Sequence, residues 1–232
     1  MNPRETFQRE LTKLQDEVLV LGSVVEGVII RSVQVLKERD HESARQLIVD
    51  DRRLNEKRFE IEKNALVLIA TQQPMATDLR LLAAIIVVAT ELERIGDYAK
   101  GIAKISLMIG DAPLIKPLID LPRMAQAAQS MLHLSLEAFA NQDVDLARRI
   151  PEADEEIDNL YNQIYRELLT YIIPKPELSE QANQLLWAAH NLERAADRVI
   201  NICERVVFTV TGEMEEMDVA EGRNLGLESI AQ

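Results

Sequence analysis

The chain has 232 residues, a formal net charge of −13, 47% hydrophobic residues and only 4% aromatic ones. That balance describes a globular chain of aliphatic helices and excludes intrinsic disorder; the scarcity of aromatics, glycine and proline argues against an all-β fold. With no basic surplus to neutralise phosphates, nucleic-acid binding is not expected, nor is docking on an anionic lipid surface by charge alone.

Apolar residues recur at three- and four-residue spacing from about residue 5 to residue 38, through Leu11, Leu14, Val18, Leu21, Val25, Val28 and Ser32. The spacing predicts a first helix there. Asp40-His41-Glu42 breaks the stripe, and a second helix follows through Leu47, Leu54, Ile61, Ala65 and Leu68. Gln72-Gln73-Pro74 ends it, because proline disfavours helical geometry in the residue before it. Thr77-Asp78 opens a third helix, running to about Leu107. Gly110-Asp111-Ala112-Pro113, with Pro117 and Pro122 soon after, is the strongest break in the chain.

The second half repeats the first. Predicted helices cover Met124–Asn141, Asp143–Tyr171 and Leu178–Val210, with Pro151 placed to kink the middle one or delay its start. Asp40 and Asp143 share a column, as do Asp51 and Asp154, both at an offset of 103. After the proline linkers the offset becomes 100, as in Glu93 and Glu193, a difference that a loop absorbs. The expected fold is all-α: six long helices as two tandem, pseudo-symmetric three-helix bundles over residues 1–110 and 111–212. An acidic, aperiodic tail over 213–232 is expected to fray.

Leu92-Glu93-Arg94-Ile95-Gly96-Asp97 returns as Leu192-Glu193-Arg194-Ala195-Ala196-Asp197. Residues four apart on a helix stack on one face, where a like-charged pair costs about 0.2–0.5 kcal/mol unless neutralised. The second helix of each half adds a further pair, Asp51 and Asn55 in the first and Asp154 and Asp158 in the second. If antiparallel helices bring the pairs level, each bundle presents four oxygen-bearing side chains at one spot, a donor set suited to hard divalent cations, iron or manganese. The plain alternative is a solvated acidic face, common in a chain with 39 acids. His190, three residues before Glu193, reads as a hydrogen-bonded histidine beside the seam, because the first half has Thr90 in that column. Trp187 reads as packing and Cys203 as a small core residue.

Catalytic signals are thin. The sequence has no G-x-S-x-G, Walker A loop or H-E-x-x-H string, and Glu38-xx-His41, the one Glu-xx-His string, falls at a helix end. No enzyme activity is expected. The single Cys203 fits a reducing cytoplasm. Residues 1–14 lack the apolar stretch of a secretory signal, and the longest apolar run, Leu81–Ala89, is about half a bilayer span. The expected location is cytoplasmic, with membranes reached only through partners.

The chain resembles the PhoU family, regulators of bacterial phosphate transport. The resemblance rests on Gln73-Pro74-Met75-Ala76-Thr77-Asp78-Leu79-Arg80, Glu91 to Asp97, Asn191 to Asp197 and Asn201-Ile202-Cys203-Glu204, and extends over nearly the whole chain. It implies metal at paired E(D)xxxD motifs, in some members multinuclear iron or zinc, with manganese or magnesium as alternatives. By position the ligands would be Asp51, Asn55, Glu93 and Asp97 in one site and Asp154, Asp158, Glu193 and Asp197 in the other. Asn55, and Lys104 where the second repeat has Glu204, make the first site the weaker. The resemblance further implies a signalling role between the ATPase of a phosphate ABC transporter and a sensor histidine kinase, with a homodimer as the expected assembly. The competing readings are a helical carboxylate-bridged metal enzyme and a metal-free helical adaptor.

Overall fold

The structure, a computed structural model, describes residues 3–217. Among these residues there are helices and no strand. α1 (Pro3–Glu38) buries Phe7, Leu11, Leu14, Val18, Leu21, Val25 and Ile29. Its seam passes through Ile29 where the spacing suggested Val28, which is only half-buried. By length and composition α1 would cross a membrane, but its apolar seam lies in the core.

Arg39 turns the chain with a φ of 58°, and Asp40 caps α2 (His41–Gln72) by accepting a hydrogen bond from the Ser43 backbone N–H at 3.0 Å. That bond holds the Asp40 carboxyl below the ordinary aspartate range. Gln73 closes α2 in the left-handed region. α3 (Thr77–Ile109) ends at Gly110, whose φ of 63° favours glycine. α4 (Asp120–Asn141) starts four residues before the Met124 expected from periodicity.

Asp143 repeats the Asp40 cap, accepting from the Leu146 N–H at 2.9 Å. The single helix expected over 143–171 is in fact two: α5 (Val144–Arg149) and α6 (Asp154–Ile172), joined by a 3₁₀ turn over Ile150–Ala153. Pro151 is the cause, since it has no N–H to continue the ladder and sits where a helix start tolerates that lack. A second 3₁₀ turn, Pro176–Leu178, leads into α7 (Ser179–Thr211).

The first three helices pack together, as do α4, α5–α6 and α7, but the halves are not separated by a gap. One apolar core runs from Phe7 to Val207 across both. α3 and α7 are the central pair and run antiparallel. Buried Glu91 of α3, 5% exposed, accepts from Asn201 of α7 at 3.2 Å, and the Arg198 guanidinium lies 3.6 Å away. In the exchanged columns Asn191 lies over Gly101, where an added Cβ would meet the Asn191 side chain at 3.2 Å. The Arg194 guanidinium donates to Tyr98. The two repeats thus face each other through the same columns of the same helix.

Glu215 pairs with Arg148 at 2.6 Å, and the Met217 N–H donates to Glu204 at 3.1 Å. The expectation for 218–232 lies outside the described residues.

Candidate functional site

Antiparallel packing of α2 against α3 makes residues near 51–55 level with residues near 93–100. Asn55 Nδ2 donates to Glu93 Oε1 at 3.0 Å. Lys100 Nζ donates to Asp51 Oδ2 at 2.6 Å and to Asp97 Oδ1 at 2.7 Å. All four predicted residues of the first repeat therefore meet, and the cation between them is the chain's own ammonium. Burial acts to lower the Lys100 pKa, but the bonds to Asp51 and Asp97 outweigh it and the net shift is upward. Burial first, and the Asp97 carboxylate second, push the Glu93 carboxyl up. Lys104, the cation singled out from sequence, is exposed on α3. Lys100 was legible all the same: three residues after Asp97, it shares that face of the helix.

The second repeat holds the same columns differently. Offset by 100, Lys100 becomes Ile200, which is buried. Glu193 Oε2 bonds His190 Nδ1 at 2.6 Å, and the His190 ring lies 6.3 Å from that of Tyr161. Asp197 pairs instead with Arg194 at 3.4 Å and lines a cleft of about 490 Å³ with Asn201, Glu204, Met214 and Glu215. Asp154 is buried at the start of α6 and Asp158 half-buried one turn on. Glu193 and Asp197 thus serve different partners. Among the described residues no three His, Cys, Asp or Glu side chains converge as a metal ion requires. The first set does not fit a metal while Lys100 is in place. The second carries four carboxylates and has Ile200 in the Lys100 column.

Two other sequence readings resolve clearly. Cys203 is fully buried, and burial pushes its thiol up to about 12. Trp187, read from sequence as packing, is 59% exposed.

The PhoU domain family matches this chain twice, over residues 18–106 and 121–206. A Caulobacter vibrioides protein named phosphate-specific transport system accessory protein PhoU homolog is 37% identical over 210 residues, covering 90% of this chain and 91% of that one. The Edwardsiella tarda phosphate-specific transport system accessory protein PhoU is 33% identical, covering 89% of this chain and 85% of its own. Two crystal structures superpose with a TM-score of 0.83. One is the phosphate transport system regulatory protein PhoU from Streptococcus pneumoniae, 32% identical, covering 90% of this chain and 99% of that chain. The other is PhoU from Pseudomonas aeruginosa, 30% identical, covering 89% of this chain and 100% of that one.

Proposed function

The chain belongs to the PhoU family, and from that membership we propose that it is an accessory regulator of phosphate transport that works by protein contact and not by catalysis. The observation that carries this reading is a match along nearly the full length, both repeats included, to proteins named for that role. In this reading the chain links the ATPase of a phosphate ABC transporter to the sensor histidine kinase of the phosphate response, restraining that response when phosphate is plentiful. It acts in the cytoplasm and reaches the membrane through these partners.

Metal enters this proposal at one repeat only. Asp154, Asp158, Glu193 and Asp197 would hold a divalent or transition ion, iron, zinc, manganese or magnesium among them. Charge neutralisation is what such an ion would supply, drawing α6 and α7 together. The first repeat performs the same neutralisation with Lys100.

The test is capture from membranes. Purified protein should retain the transporter ATPase and the kinase, probed in turn, while elemental analysis of the same preparation reports bound metal. Loss of both captures would end the contact reading. Oxygen consumption dependent on added iron would replace it with a carboxylate-bridged enzyme.

A further inference from the structure

Five of the nine aromatic residues of this chain lie on the second repeat's outer pair of helices. On α6 and just beyond it, Tyr161, Tyr165, Leu169 and Ile173 follow at intervals of four and so share one face. Tyr165, Leu169 and Ile173 are exposed, Ile173 by 78%. On α7, His190 meets this row in the Tyr161–His190 ring contact, and Trp187, three residues before it on the same side of the helix, is exposed. Scattered exposed apolar residues need no explanation, but a contiguous aromatic and aliphatic row between two helices marks a contact surface.

The first repeat is the internal control. The α6 row corresponds, at an offset of 103, to Arg58, Glu62, Leu66 and Ala70, where Arg58 and Glu62 form an ion pair. Trp187 and His190 correspond to Val87 and Thr90. The core does not ask for aromatics here, since the other copy folds the same way with a salt bridge.

Charge states what covers the groove. α6 carries Asp154, Glu155, Glu156 and Asp158 against Arg166, with Glu167 already paired to Lys116. Glu193 lies beside Tyr161, and Arg194, the nearest cation on α7, is engaged by Asp197 and Tyr98. A cation brought here would meet carboxylates at one end and aromatic faces in the middle. We propose that the α6–α7 groove of the second repeat docks a basic amphipathic helix of a partner protein, its apolar side chains on Tyr165, Leu169 and Trp187 and its lysines or arginines toward Asp158 and Glu193. This rests on the contact reading above and concerns the metal-free chain, since Asp158 and Glu193 belong also to the proposed metal set, so its test is run with chelator present. A second copy of this chain is disfavoured as occupant, because two acidic faces would meet.

Trp187 is the only tryptophan and is 59% exposed on α7, so its emission reports covering of this face. The full chain is titrated with an 18-residue helical peptide of lysine and leucine, and with lysine–serine and glutamate–leucine counterparts. The expected result is a blue shift with saturable binding for lysine–leucine only. The Tyr165→Ser/Leu169→Ser double variant, which changes no charge, should bind at least about tenfold more weakly. Tyr165→Ser alone guards against a folding defect and should show an intermediate loss. Equal binding of the lysine–serine peptide would reduce the effect to net charge and overturn the proposal. A blue shift on concentrating the protein alone would assign the face to a second copy and also overturn it. Membrane capture separates the two readings. A double variant that captures the transporter and kinase as well as wild type removes the groove and leaves the contact reading standing, whereas failure of wild type to capture them removes that reading while the peptide titration still judges the groove.

Discussion

The first repeat gathers its acids around a lysine, and the second has an isoleucine in that column. The two were expected to be twin metal sites, differing by one amide and a lysine one to two turns away. Instead Lys100 bridges Asp51 and Asp97 while Asn55 serves Glu93, and at Ile200 the second copy has nothing equivalent. Duplicated ligand columns therefore do not imply duplicated chemistry. Clustered carboxylates require a counter-charge, and a tethered ammonium supplies one without a free ion. The outer faces differ in the same sense: an Arg58–Glu62 pair in one repeat stands where Tyr161 and Tyr165 stand in the other. One repeat ties its acids together across two helices through a single lysine, and the other pairs Glu193 and Asp197 with separate neighbours on their own helix.

The largest effects test whether the repeats are one folding unit. Leu92 and Leu192 occupy the same column and are fully buried in the shared core. Leu92→Ala and Leu192→Ala should each cost about 2–5 kcal/mol. Calorimetry should show a single transition displaced by both; two transitions, each moved by only one variant, would mean that the halves melt independently.

Metal should act through the second repeat alone. At a hundredfold excess over Kd an ion bound only by the folded form stabilises it by about 2.7 kcal/mol. Glu193→Gln/Asp197→Asn should remove the rise in Tm with metal, and Asp51→Asn should leave it intact. Lys100→Met should create a second metal response. A wild-type response that disappears with Asp51→Asn would invert the comparison.

Without metal, Lys100→Met should cost about 1–2 kcal/mol, a range that allows for screening at the half-exposed Asp97 and for the mostly buried Asp51. The Lys100 pKa is raised in the folded state, so its stabilisation is complete below the ordinary lysine pKa of about 10.4 and is lost as pH climbs through the folded value. Denaturant melts across alkaline pH should show the gap to wild type closing there and nowhere in the neutral range.

The smallest effect concerns the paired caps. Asp40→Ala and Asp143→Ala should each lower Tm slightly and by similar amounts, since each removes one bond to a backbone N–H. The Asp40 carboxyl is held low in the folded state, so its advantage over alanine is present above the ordinary aspartate range and fades as pH falls through the folded value. An Asp40→Ala deficit that persists unchanged in strong acid would contradict this.

Periodicity carries the helices, and the repeat offset carries the pairing of the halves, because burial at three- and four-residue spacing is a local property of the chain. The break at Asp40, the stop at Gln72-Gln73-Pro74 and the core position of Cys203 were legible from local sequence, whereas the capping roles of Asp40 and Asp143 were not read from it. Pro151 was recognised as a break, but the 3₁₀ turn that it forces was not. The tertiary structure decided what adjacency decides. It placed Lys100 between acids from two helices, sent Glu193 and Asp197 to different neighbours, and left Trp187 outside. It also set α3 against α7, so that Glu91 meets Asn201 and Asn191 meets Gly101. A column in a repeat specifies which face of a helix a side chain occupies; which other helix covers that face depends on how the two bundles close on each other.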